Sequence, residues 1–316
     1  MNQSKKITDG ALLTAVYIVL LLIVIFVPFI MTFGIFVLPV PFVIYAARHG
    51  WKPTILMLLT TTLLTMVFAT VVSLPVTLLA GIGGIFIGTA INKKLGAYEV
   101  WARGSVGFIV GMVFVLIIVQ YVVNINIYEE MDIMIQDSIS MTRSIMDQIG
   151  LDANSEKQLK LIEEQMYTFK DLLPSSIAIA SIFLAFVSQW ISNKVINRIE
   201  NKKLQFPPFK QFNLPTAVIW IYFFALILSF IDLGTDSGLY LVVLNVFALT
   251  TILITIQGLS FVFFYADFKK MHKSIPIIIV VFTLLIPQLF MFLIRIIGIM
   301  DLGFSLKARL ASNKEK

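Results

Sequence analysis

Side chains able to do covalent or acid–base chemistry are scarce in this 316-residue sequence, which holds two histidines and no cysteine. His49 and His272 stand too far apart to form a spacing motif. No His-Glu-x-x-His, no Gly-x-Ser-x-Gly with plausible partners and no Gly-Lys-Ser/Thr phosphate loop occurs. Without cysteine there are no disulfides, thiolate metal sites or thiol nucleophiles. The sequence therefore predicts neither an enzyme nor a bound metal or cofactor.

Uncharged polar residues inside apolar runs are the remaining candidates for ligand contact. Gln120 and Asn124 stand four apart beside Tyr121, a spacing that puts them on one helix face near a membrane surface. Asn245 lies in the outer part of a later run, and Gln189, Asn193, Gln257 and Gln288 lie deeper. Such residues commonly join helix to helix, at about 0.6 kcal/mol per contact. Proton-coupled carriers keep a titratable group within the membrane. Here only Asp232 and Arg295 fall in or beside the runs concerned, so any transport would draw its energy from a separate subunit. Small residues at four-residue spacing let helix backbones approach closely, and they recur as Gly10 with Thr14, Ala11 with Ala15, Gly84 with Gly88, and Gly107 with Gly111. They fit internal packing, or, on the first run, contact with another membrane subunit.

These residues sit on elements that the composition defines. At 59% hydrophobic and 13% charged, with a mean hydropathy of +0.94, the chain cannot hide its apolar surface in one soluble core, so lipid must serve as solvent. Crossing a hydrocarbon core of about 30 Å takes roughly 20 apolar residues. Candidate spans are 11–30, 35–47, 54–72, 75–91, 104–124, 174–193, 214–232, 239–266 and 275–298. The second carries Pro39 and Pro41, which predicts irregular backbone shielded by neighbouring helices. The first follows Lys5 and Lys6, lacks a small-residue cleavage site and reads as a retained helix. The expected class is an all-α polytopic membrane protein.

The net charge of +6 does not call for nucleic acid, because the basic residues cluster in short loops. Arg48, Lys52, Lys93, Lys94, Arg103, Lys194, Arg198, Lys202, Lys203, Lys210, Lys269, Lys270 and Lys273 all fall inside when the N-terminus is cytoplasmic. The reading is a plasma-membrane protein with a cytoplasmic N-terminus. One conflict remains, since nine crossings place Lys307, Arg309, Lys314 and Lys316 outside. Either the rule breaks there, or the last run bends at Pro287, or one candidate is not a full crossing, which leaves eight or nine spans.

The resulting plan is five spans over 1–124, a water-exposed insert over 125–173, a sixth span over 174–196, a basic loop over 197–213, three apolar runs over 214–300 and a basic tail over 301–316. The insert holds ten acids against four bases. Ile127, Met131, Met134, Ile135, Ile139, Ile145, Met146 and Ile149 form one apolar stripe, and Leu159, Ile162, Met166, Phe169 and Leu173 a second. Gly150 would end the first helix, and Ser155 with Gln158 would cap the next. The insert reads as an extracytoplasmic helical hairpin serving as spacer, lid or docking surface.

The first run with Ala11 and Ala15, the Leu38-Pro39-Val40-Pro41 break, Arg48-His49-Gly50-Trp51 and Gly81-Ile82-Gly83-Gly84 resemble the six-helix substrate-binding components of energy-coupling-factor vitamin transporters. The whole chain is more similar to the YybS-like membrane proteins of Gram-positive bacteria. Gln257-Gly258-Leu259, Ile286-Pro287, Gly298-Ile299-Met300-Asp301-Leu302 and Lys307-Ala308-Arg309-Leu310 carry that likeness. The transporter resemblance implies a small-molecule ligand taken from outside, with Ala11 and Ala15 against a membrane coupling subunit. The hairpin and the C-terminal runs depart from the six-helix pattern. The alternative is a scaffold or regulator that binds a protein through the hairpin.

Overall fold

The computed structural model describes residues 3–149, 153–234 and 237–312, and every regular element among them is helical. Eight helical stretches are long and apolar enough to cross a membrane, and two apolar helices are shorter. The protein is a polytopic all-α membrane protein. Its chain forms two compact units, residues 1–170 with 176–206, and residues 171–175 with 207–316.

The first unit holds α1 (Gln3–Phe26), α2 (Pro28–Val37), α3 (Val40–His49), α4 (Trp51–Phe68), α5 (Leu74–Asn92), α6 (Ala97–Tyr121), α7 (Ile127–Ile149), α8 (Ala153–Asp171) and most of α9 (Leu173–Glu200). Its second crossing is α2 and α3 together, 21 residues over Phe29–His49. The backbone bends at Leu38 and Pro39 yet stays in the right-handed helical region at both. Each proline still removes a donor. The Ser188 hydroxyl of α9 donates to the Phe36 carbonyl beside the bend, and residues 38–47 are all buried. The expected shielding is present, whereas the backbone is bent and not unwound. The first connection also differs from the sequence reading, because α1 ends at Phe26 and Pro28 opens α2.

Basic residues gather at one end of this unit. There Arg48 Nε donates to Glu200 Oε1 at 2.6 Å, Lys202 reaches the same carboxylate at 2.7 Å, and His49 Nε2 lies 2.9 Å from Asp9 Oδ2. These contacts join the ends of α1, α3 and α9. At the opposite end α6 leads into the hairpin α7–α8. Its seam is Ile135, Ile139 and Leu159, with Met146, Met166 and Tyr167 packed on them. Lys170 pairs with Asp132 across the two helices. Of the stripes, Met134, Ile145, Ile162 and Phe169 stay outside, and Met141 is exposed beside them. At about 100° per residue these five fall on one side of the hairpin. Gly150 lies outside the described residues, as does the Ser155 side chain; α8 begins at Ala153, two residues before that expected cap.

The second unit holds α10 (Ala217–Leu228), α11 (Gly238–Phe268), α12 (Ser274–Leu285), α13 (Pro287–Phe304) and α14 (Leu306–Ser312). The last apolar run of the sequence is two helices. Ile286 leaves the helical region at φ −128° and ψ 67°, and Pro287 starts α13. Leu214, just before α10, bonds Gln257 and Tyr222 stacks on Phe247, while Ile219 meets Gly303 and Tyr222 lies near Arg295, so α11 and α13 both run opposite to α10. The two helices are therefore parallel, and α12 must run the other way. With 12 residues it reaches about 18 Å, short of a regular crossing. The tail thus returns to the end where α11 finishes, and the bend at Pro287 removes the conflict that a single last crossing creates.

Candidate functional site

A groove of about 970 Å³ lies between α1 and α4, beside several of the sequence-derived residues. These helices run in the same direction, with the Thr61 and Thr14 hydroxyl oxygens 3.5 Å apart halfway along. Gly10, Ala11 and Ala15 leave one wall shallow, and Leu56, Met57 and Leu64 make the other. Thr60 and Thr61 turn their hydroxyls back onto the carbonyls of Leu56 and Met57, at 3.0 and 2.7 Å, which keeps the groove apolar along its length. Its polar residues collect at the basic end, where Gln3, Lys6, Tyr45 and Lys52 line it. Tyr45 Oη donates to the Lys6 carbonyl at 3.0 Å and so fixes the start of α1 against α3. From Lys52 to Phe68 the groove follows α4 for about 24 Å.

The other small-residue pairs are consumed inside the protein. A Cβ at Gly84 would meet Phe42 Cβ at 2.6 Å, and one at Gly88 the Val43 carbonyl oxygen at 2.4 Å, so α5 lies directly on α3. Gly107 and Gly111 of α6 face Phe86 and Leu79 of α5 in the same manner. Gly10 approaches the Tyr45 ring and Thr14 is buried, whereas Ala11 and Ala15 are exposed to the groove.

The proposed polar ligands are not gathered together. Gln120 and Tyr121 are exposed at the end of α6. Asn124 lies beyond that helix in the left-handed region at φ 58°, so helical spacing no longer puts it on the face of Gln120. Asparagine tolerates this conformation, and it turns the chain toward α7. Asn245 belongs to α11, and its amide is fully engaged. Its oxygen accepts from the Ser175 backbone N–H at 2.8 Å, and its nitrogen donates to the carbonyls of Asp171 and Leu241, each at 2.8 Å. Ser175 N–H to Asp171 C=O would be an ordinary helical hydrogen bond. The Asn245 amide is inserted between those two groups, where α8 gives way to α9 and Pro174 interrupts the ladder.

A second polar cluster joins Gln257, one of the candidate ligand contacts, to residues that the sequence does not connect with it. Gln257, fully buried, accepts from Leu214 N–H at 2.9 Å and donates to Asn213 Oδ1 at 2.9 Å and Asp301 Oδ2 at 2.6 Å. Asp301 Oδ1 takes the backbone N–H of Lys307 at 3.1 Å, just after Ser305 turns left-handed at φ 51°. Lys307 Nζ donates to the Phe212 carbonyl and Ser260 Oγ, and lies 3.5 Å from Asp301 Oδ2. Burial pulls the Lys307 ammonium below the ordinary lysine range, while Asp301 opposes this. Every polar atom of Gln257 is spent on protein partners, so the cluster acts as a lock joining the 209–214 segment, α11, α13 and α14. Only its pieces are visible in sequence, because 44 residues separate Gln257 from Asp301.

An apolar cleft between spanning helices, with polar groups confined to one mouth, is the architecture of a membrane protein, and the sequence comparison agrees. The sequence matches the family described as predicted membrane protein (DUF2232) over residues 15–302. The chain belongs to this family. It is 30% identical over 307 residues to a protein of Bacillus subtilis (strain 168) described as uncharacterized protein YybS, covering 97% of this chain and 99% of the relative. No solved structure matches. Neither match is to the substrate-binding components of energy-coupling-factor transporters. The DUF2232 match takes in the α1–α4 groove from Ala15 onward, the hairpin and the Gln257–Asp301 lock.

Proposed function

We propose that the protein is a binding component of the bacterial plasma membrane that holds a small lipophilic or amphipathic molecule in the α1–α4 groove and acts with another membrane subunit. One observation carries this reading: Ala11 and Ala15 face 970 Å³ of unfilled space, while the glycine pairs of α5 and α6 are closed by neighbouring helices. Pockets of this size suit small molecules. With the N-terminus cytoplasmic, the lysine-bearing mouth faces the inner leaflet.

The test is to fill the groove. Full-length protein and an Ala11→Leu/Ala15→Leu variant, purified in mild detergent, are extracted and their bound small molecules compared by mass spectrometry. Loss of a co-purifying molecule from a variant that stays monodisperse supports the reading. Equal recovery from both overturns it. If the variant instead loses a membrane protein that co-purifies with the wild type, with no change in small molecules, the groove seats a partner helix.

A second reading rests on the hairpin. An acidic, water-exposed arm that leaves Met134, Met141, Ile145, Ile162 and Phe169 uncovered on one side has the features of a protein docking surface. Removing 127–171 while keeping the spans should then abolish a specific protein complex and leave groove binding intact.

A further inference from the structure

The charge around the α1–α4 groove narrows the chemistry of what enters it. Lys6 and Lys52 line its mouth, and no Asp or Glu lines any part of it. Among the described residues neither ammonium has a carboxylate partner. Lys52 Nζ rests 5.7 Å from the centroid of the Trp51 ring. The neighbouring bases are arranged differently. Arg48 is committed to Glu200 and Lys202 shares that carboxylate, while Arg103, beside a smaller cleft between α4 and α6, is paired with Glu99 at 2.9 Å. Two unpaired ammonium groups at the rim of an apolar cleft attract an anion whose remainder is hydrocarbon.

The dimensions fit the same molecule. The groove runs about 24 Å along α4, longer than one leaflet, which is half of a hydrocarbon core of about 30 Å. Beyond the mouth its walls carry two hydroxyls, Thr60, turned onto the Leu56 carbonyl of its own helix, and Thr14, 3.5 Å from the Thr61 hydroxyl. A water-soluble anion would leave most of that length unfilled, whereas a lipid tail one leaflet deep would cover about 15 Å of it beyond the mouth.

Building on the proposed groove function, we propose that its occupant is an anionic phospholipid. The phosphate lies at the mouth between Lys6 and Lys52, and one acyl chain runs along Ala15, Thr60 and Leu64. The shallow wall at Ala11 and Ala15 lets the chain enter sideways from the bilayer, so no path through water is needed. The inner leaflet, which carries anionic lipid, would then be both source and solvent for the ligand.

The full-length protein, stripped of lipid in detergent, is offered phosphatidylglycerol or phosphatidylcholine with identical chains, and retained lipid is counted by native mass spectrometry. Two lysines acting on one phosphate near a membrane surface should favour phosphatidylglycerol about tenfold. Lys6→Gln/Lys52→Gln should lose that preference while still retaining both lipids weakly, and Ala15→Leu/Thr60→Leu should retain neither. Leu56→Trp, a change at an exposed groove residue, replaces the filling variant if that one misfolds. Equal retention of the two lipids by wild type, or a preference that survives the lysine changes, overturns the headgroup assignment. If both lipids bind equally and both are lost on filling, the groove function stands and only the phosphate is wrong. If filling leaves lipid retention unchanged, both proposals fall.

Discussion

Among single residues, Asn245 shows most clearly how a polar side chain in a membrane can be structural. The sequence offers it as a ligand contact because it is polar and sits among apolar neighbours. Its amide instead bridges a broken helical hydrogen bond between Ser175 and Asp171. Leucine at this position would leave a donor and an acceptor unpaired, at a cost of about 1–3 kcal/mol. The expected signature of Asn245→Leu is local, with amide exchange at Ser175 accelerated while amides in the middle of α11 stay protected. Unchanged exchange at Ser175 would show that the bridge does not hold the junction. The same logic explains why Gln257, a ligand candidate in the sequence, was not joined there to Asp301. A carboxylate after an apolar run resembles a helix end, and only folding brings it to the glutamine that satisfies it.

For elements, legibility depended on whether the deciding signal was local. Apolar run length located the long helices, because lipid demands internal hydrogen bonding over a fixed thickness. The hairpin was readable from its stripes, yet only one edge of each enters the seam. Periodicity reports that a face is apolar without saying how wide a neighbour will cover it. The α11–α13 pair was not readable, since the glycines that join it are 40 residues apart. A Cβ at Gly258 would stand 2.0 Å from the Ile294 carbonyl oxygen, and one at Gly298 2.1 Å from that of Ile254. Backbone atoms cannot yield as a flexible side chain does. Even Gly258→Ala should therefore force the helices apart, lowering thermal stability by more than about 1–3 kcal/mol. Gly234 has open space around it, and a side chain there would be strained for a different reason, its left-handed φ of 69°. A Gly258→Ala protein as heat-stable as wild type would contradict the backbone contact.

At the largest scale, the ambiguous quantity was the end at which the tail lies relative to α11, and the direction of the last helices decides it. Because α11 and α13 run parallel, the tail lies at the same end as the 269–273 turn with its Lys269, Lys270 and Lys273. A reporter fused after Ser312 should thus give the same sidedness as one inserted at Met271, and opposite answers would refute the parallel arrangement. With this arrangement, Lys307 and Arg309 lie at the same end as Lys269, Lys270 and Lys273, from which they would be separated if α12 and α13 were one crossing. The sequence could not decide this, because a proline in an apolar run is compatible with a gentle kink as well as a full reversal.

The contact between Gly258 and Gly298 also bears on what could pass through the second unit. Where two backbones touch, neither a hydrated ion nor a lipid tail has room between them, and the Gln257–Asp301 lock seals the next turn with direct hydrogen bonds. The α11–α13 interface is thus closed to permeation at that depth, and opening it would require parting the helices at their tightest point.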